Sequence, residues 1–155
     1  MDKTDQNILQ ILQKKARIPN IDVARKIKMA PSAVLGRIKR LECRGIIDGY
    51  EVRLNPEHFN QSLVAFIQIK LKDITIIQDT CNIITDIKHV QEVHHLAGED
   101  CILVKLRTSS ARELEKILRK SFYIINNISN IKTLIALATY KESAQIVIPE
   151  QNGGN

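Results

Sequence analysis

Aromatic side chains are scarce in this 155-residue chain, making up 4% of it, and tryptophan is absent. That shortage argues against reading unpaired bases by stacking, which needs an aromatic platform. Cysteine is scarce as well: Cys43, Cys81 and Cys101 are an odd number with no CxxC spacing. Such a set suits a reduced compartment and supplies neither a disulfide framework nor a zinc site. No apolar run approaches the roughly 18 residues of a membrane span, and the residues after Met1 lack the pattern of a signal peptide. The expectation is a cytoplasmic protein with no membrane partner, no metal and no cofactor.

Net charge is missing from most of the chain and concentrated at its start. Residues 1–55 hold 12 Lys and Arg against 6 Asp and Glu, a balance of +6, while residues 56–155 hold 11 of each. Within the basic third runs APSAVLGRIKRLECRG from Ala30, with Arg37, Lys39, Arg40 and Arg44 spaced over about two helical turns. A neutral body with one small basic end has the electrostatic footprint of a nucleic-acid binder that carries a second job elsewhere.

The basic third reads as three short helices and a hairpin. Asp2, Thr4 and Asp5 suit a helix start by capping and by the dipole, and Ile8, Leu9 and Leu12 recur at helical spacing. Pro19 interrupts that pattern, because it disfavours helix in the residue before it. Asn20 is placed to cap a second helix with Val23, Ala24 and Ile27 facing inward. After a break at Lys28, Met29 and Ala30, Pro31 opens a third helix with Val34, Ile38 and Leu41 on one stripe. Gly45 ends it. Ile46 and Ile47, a turn at Gly49, and alternating Tyr50, Val52 and Leu54 read as a small hairpin. This makes residues 1–55 a winged helix-turn-helix domain, its tight helix-turn-helix falling within 20–44.

Asn55-Pro56 marks the exit, with 56–62 as linker, and from Leu63 the period changes. Leu63, Ala65, Ile67, Ile69 and Leu71 alternate as a strand, and Ile76, Ile77, Thr80, Ile83, Ile84 and Ile87 fit a helix stripe. Residues 90–97 and 101–107 read as a hairpin around Gly98-Glu99-Asp100. Ser110 to Glu113 forms a capping box for a second helix, and 131–140 reads as the last strand. The order βαββαβ over 63–141 makes the whole an α+β chain with a ferredoxin-like second domain. Val64, Phe66, Leu134, Ala136 and Ala138 put apolar residues on the face opposite the main set, which calls for a partner sheet and a homodimer at least. Residues 142–155 are a C-terminal extension whose polar, Gly-rich end at 151–155 is expected to be disordered.

If the third helix enters a major groove, its inner stripe packs and its outer side reads. Pro31, Ser32, Ala33, Gly36, Arg37, Lys39, Arg40 and Arg44 are then the candidate contacts to double-stranded DNA, with Arg37 and Arg40 foremost. Helix N-termini suit phosphates, and Arg pairs bidentately with guanine. Gly36 costs the helix about 1 kcal/mol relative to Ala, which a close approach to DNA would explain. Exposed drift explains it equally well. Lys14, Lys15, Lys26 and Lys28 suit phosphate contacts or plain surface.

These residues together carry a family resemblance. Asp5, Ile8, Leu9 and Leu12, then Arg17-Ile18, Pro31-Ser32, Arg37 to Glu42, Gly45-Ile46-Ile47 and Gly49-Tyr50 resemble the Lrp/AsnC (leucine-responsive/asparagine-type, feast/famine) transcription regulators. The resemblance runs from Asp2 to about Tyr140. It implies a winged helix domain followed by a βαββαβ domain, dimers formed through the sheet, and tetramers or octamers built from dimers. It also implies a small amino acid bound between dimers, with Gly98, Glu99, Asp100, Cys101 and Ile102 as the effector-binding residues.

Two departures from the family pattern stand out. Lys28, Met29 and Ala30 occupy positions where the family has Gly, an apolar residue and Ser. Lys28 must then fill a turn position that Gly fills without penalty, and Ala30 lacks a capping hydroxyl. In the effector turn, Cys101 stands where the family has Asp, and a thiol is a poor acceptor for an α-ammonium group. Either Asp100 takes over with altered specificity, or the chain ignores amino acids.

Other chemistry is weaker. His94 and His95 are adjacent on a strand and point to opposite faces, so they cannot share a metal. Haem-pathway decarboxylases look similar to this family in both domains, and such an enzyme is the alternative reading. It would need basic and histidine side chains gathered in a large cleft, whereas the basic charge lies on the helix-turn-helix. The expected function is a sequence-specific DNA-binding transcriptional regulator without catalytic residues.

Overall fold

A computed structural model describes residues 1–97 and 101–149. The chain divides into two compact units: one takes in Met1–Arg53 and the chain from Glu142 onward, the other is Leu54–Lys141.

In the first unit α1 spans Lys3–Lys14, α2 Asn20–Ile27 and α3 Pro31–Cys43. Asp2 caps α1, its Oδ1 accepting from the Asp5 amide at 2.8 Å. Ile8 and Leu12 pack against Val23, Ala24, Val34, Ile38 and Leu41, so the three stripes read from the sequence form one core. Pro19 sits at the cap position of α2 with no side-chain cap bond, and Asn20 is already helical, not the cap expected. The fixed φ of proline suits that extended position. Lys28 ends α2 in the left-handed region at φ 57°. Ala30 opens α3 with no side-chain cap. Gly45, at φ +63°, closes α3, with Gly45 N–H on Glu42 O and Ile46 N–H on Leu41 O, both at 2.9 Å. That pair of bonds is the Schellman arrangement.

The hairpin expected over 46–54 does not form: no strand occurs there. Ile47 packs on the helical core, while Val52 and Leu54 are exposed. Ile46 and Ile47 are too short an arm to hold a return strand, and an isolated two-stranded ribbon is marginal in water. The extension, in its described part 142–149, lies against α1. Gln13 Nε2 donates to Ile146 O at 3.2 Å, Ile146 N–H donates to Gln13 Oε1 at 2.8 Å, and Gln145 Nε2 donates to Gln13 O at 2.8 Å. The buried Gln6 donates through Nε2 to Pro149 O at 2.9 Å. Residues 151–155, expected to be disordered, lie outside the described residues.

The second unit opens with a 3₁₀ turn at Pro56–Phe59, capped by Asn55, within the stretch 56–62 expected as a linker. Then follow β1 Leu63–Leu71, α4 Ile77–Thr85, β2 Val90–Leu96, β3 Cys101–Thr108, α5 Ala111–Ile117 and β4 Ile128–Ile135. The sheet order is β2-β3-β1-β4, antiparallel throughout, which is the βαββαβ arrangement expected. Ser110 caps α5 through Oγ, accepting from the Glu113 amide at 3.2 Å. A π-helical turn at Leu118–Phe122 carries Phe122 fully into the core.

Ala65, Ile67 and Ile69 of β1 line up with Ile102, Val104 and Leu106 of β3, all buried in one core with residues of α4 and α5. β4 starts three residues earlier and stops five earlier than the 131–140 expected. Its ladder on β1 reaches Ala65 opposite Ile135, with one further bond from Ala136 N–H to Val64 O at 2.9 Å. Phe66 and Leu134 pair on the opposite face, where Leu134 is half exposed. Ala136 and Ala138, expected on that face of the strand, lie beyond its end.

Candidate nucleic-acid interface and effector region

Burial of Val34, Ile38 and Leu41 fixes which side of α3 faces outward. Pro31, Ser32, Ala33, Gly36, Lys39, Arg40 and Arg44 are all exposed. Gly36 lies between Val34 and Ile38, roughly 200° round the helix from each, so it sits at the centre of the outer face. Ser32, Gly36 and Arg40 follow one another at four-residue spacing and form a ridge along that face. A Cβ added at Gly36 would meet nothing within 4 Å. Intramolecular packing therefore gives no reason for glycine there. The outer face offers two cationic side chains, Lys39 and Arg40, around a bare stretch of backbone, with Arg44 at its C-terminal end.

Arg37 does not join that face. Its Nη1 donates to Asp2 Oδ2 at 2.6 Å and to Asp5 Oδ1 at 2.7 Å, and its side chain is 22% exposed. Arg37, expected to lead the DNA contacts, is held by the carboxylates at the start of α1 at the flank of α3. The Asp5 amide and then the Arg37 guanidinium hold the Asp2 carboxyl below its usual range. Hydrogen bonds to Asp2 and Asp5 push Arg37 upward in turn. From the sequence, Asp2 and Asp5 suit the cap and dipole of α1, and Asp5 also belongs to the family resemblance. Their spacing of three on one side of a helix start, with a lone Arg at the edge of the facing stripe, was the available signal.

Tyr50 ties the segment after α3 back to it, donating through its hydroxyl to Glu42 Oε1 at 2.8 Å. Burial, with the Glu42 carboxylate second, pushes the phenol up to about 12. The bond draws Tyr50 onto α3 instead of into a hairpin.

In the effector region, Gly98, Glu99 and Asp100 lie outside the described residues. Cys101 begins β3, buried, and its Sγ accepts from Gln68 Nε2 at 3.6 Å. Ile102, expected among the effector-binding residues, has its side chain fully buried in the core of the second unit. Strand alternation is the cause: Ile102 pairs with Ile69 and points the opposite way from Cys101. On the same side as Cys101, Glu92 bridges Lys105 Nζ at 2.7 Å and His94 Nε2 at 3.3 Å. Among the described residues no three His, Cys, Asp or Glu side chains converge as a metal site requires, and no helix is long and apolar enough to cross a membrane.

Residues 1–48 match the profile described as winged helix-turn-helix DNA-binding, and residues 64–146 match the Lrp/AsnC ligand binding domain. The chain is 29% identical over 150 residues to the leucine-responsive regulatory protein of Escherichia coli (strain K12), spanning 96% of this chain and 92% of that one. The Klebsiella pneumoniae protein of the same name matches over the same shares at the same identity. Among solved structures, a transcriptional regulator from Neisseria meningitidis in complex with L-Met aligns with a TM-score of 0.89 at 26% identity, covering 95% of this chain and 96% of that one. The feast or famine regulatory protein from M. tuberculosis complexed with L-methionine gives 0.86 at 29% identity, covering 95% and 99%. These relatives are named as regulators, and none supports the decarboxylase alternative. With a DNA-binding helix-turn-helix in its first third and the ligand-binding domain filling most of the rest, the chain belongs to the Lrp/AsnC family of transcription regulators.

Proposed function

We propose that this regulator reads double-stranded DNA with the outer face of α3 and answers to a small amino acid through its second unit. The observation that carries the first part is Gly36, bare and central on the exposed face, between Ser32 and Arg40. Backbone approaches a groove most closely where no side chain intervenes. In this reading Ser32 and Ala33 lie near base edges, Arg40 reads a base or grips a phosphate, and Lys39, Arg44 and the N-terminal turn at Pro31 hold the backbone. Arg37 drops out of the contact set.

The second part rests on likeness to two regulators described as L-methionine complexes. A neutral amino acid is the ligand class proposed, with residues 98–102 as its place and Cys101 in the position of the family carboxylate. The protein works as a homodimer, and as larger assemblies of dimers, through the sheet face bearing Phe66 and Leu134. It acts in the cytoplasm and is no enzyme.

The test is selection of duplexes from a randomised library by the full-length protein, followed by fluorescence anisotropy on the enriched duplex and its scrambled counterpart. Enrichment of a defined sequence, with affinity that shifts when the twenty amino acids are added, supports both parts. Equal affinity for enriched and scrambled DNA removes the first, and indifference to every amino acid removes the second.

A further inference from the structure

α3 begins with weak local support. Its N-cap is Ala30, which bonds no backbone amide through its side chain, and the preceding turn forces Lys28 into a left-handed conformation. The buried stripe of Val34, Ile38 and Leu41 holds the helix against α1 and α2, but apolar contact is non-directional and tolerates rotation and sliding. Hydrogen-bonded ion pairs do not. At the edge of that stripe Arg37 reaches the first turn of α1, where one guanidinium nitrogen meets two carboxylates at 2.6 and 2.7 Å.

The two carboxylates are tied down themselves. Asp2 uses Oδ1 to cap α1 and Oδ2 to receive Arg37, so one carboxylate joins the start of one helix to the middle of the other. Asp5 is 7% exposed, which leaves it little water to fall back on if Arg37 leaves.

We infer that Arg37, held by Asp2 and Asp5, is a positioning residue that sets the rotation of α3 and so aims Ser32, Gly36 and Arg40 at the groove. The inference rests on the DNA-reading face proposed for α3. It assigns two acidic residues a supporting role in binding a polyanion, which charge alone would not suggest. By charge alone, removing either carboxylate from a basic unit tightens its grip on any duplex. The clamp requires the reverse on the correct sequence.

The experiment uses the full-length chain, a duplex enriched by the wild-type protein and its scrambled counterpart, with anisotropy read across a salt series. For Asp2→Asn and Asp5→Asn, affinity for the enriched duplex should fall roughly tenfold, about the size of one lost base contact, while affinity for scrambled DNA holds or rises. Arg37→Met should show the same loss with an unchanged salt slope, whereas a phosphate-contacting Arg37 would lower the slope by about one unit. Tighter binding of both Asp variants to both duplexes, or a slope reduced by one in Arg37→Met, overturns the inference. Because the buried Asp5 variant could unfold, Asp2→Asn carries the test alone if needed: Asp2 is half exposed, and Asn still caps a helix. Failure of the wild-type protein to enrich any sequence overturns the DNA-reading face as well, and so separates the two claims.

Discussion

Gln13 and Ile146 exchange two hydrogen bonds, the side-chain amide of one matching the backbone N–H and C=O of the other at 2.8 and 3.2 Å. A glutamine thus does for the extension what a neighbouring strand would do, fixing it beside α1. Gln13→Ala should lower the stability of the first unit by about 1 kcal/mol, the usual net value of such bonds. It should also speed proteolytic cleavage within 142–149. Unchanged cleavage would show that the extension is held by other contacts.

Gly36 can be tested for its cost and its purpose together. Gly36→Ala should stabilise the first unit by about 0.5–1 kcal/mol, because Ala is the better helix former and the added methyl group has open space. The same change should weaken binding to the enriched duplex. Thermal unfolding and anisotropy on one protein preparation separate the two effects, and a gain in stability with unchanged affinity would return Gly36 to exposed drift.

The entry to α3 combines a left-handed Lys28 with an uncapped Ala30. Lys28→Gly relieves a left-handed Lys and should add about 1 kcal/mol. Ala30→Ser supplies the missing cap and should add about 0.5–2 kcal/mol. Slower amide exchange at Ala33 and Val34 in Ala30→Ser would locate the gain at the helix start. Exchange there already as slow as in α2 would contradict a weakly held start to α3.

Acid should open the clamp between α1 and α3. The Asp2 carboxyl is held below its usual range, so its stabilising contribution is full above the pKa of the unfolded chain and is lost as pH falls through the folded value. The gap in thermal midpoint between wild type and Asp2→Asn should hold at neutral pH and close below about pH 4. A gap that persists at lower pH would mean that the charge on Asp2 is not what matters.

The parts legible in the sequence are those governed by local rules. The stripe of α3, its exposed face, the strained Lys28, the uncapped Ala30 and the Ser110 cap all follow from spacing and residue type. The alternation of β1 likewise marks Ala65, Ile67 and Ile69 for the core. What escaped depends on distant partners. Arg37 reads as a DNA contact until Asp2, 35 residues away, takes it. Tyr50, Val52 and Leu54 alternate as a strand would, but alternation names no partner, and Tyr50 finds Glu42 instead. The extension docks through amide groups, which leave no periodic trace. Ile102 belongs to the effector set that the family resemblance implies, and its place in the core emerges only once β3 pairs with β1.

The salt dependence of Arg40→Ala against wild type, on the enriched and the scrambled duplex, tests the DNA-reading face most directly. Weaker binding to the enriched duplex is expected, together with either a salt slope lower by about one unit, if Arg40 grips a phosphate, or a narrowed gap between the two duplexes, if it reads a base. Affinity, slope and gap all unchanged in Arg40→Ala would contradict this, and would mean that α3 meets DNA by some other face.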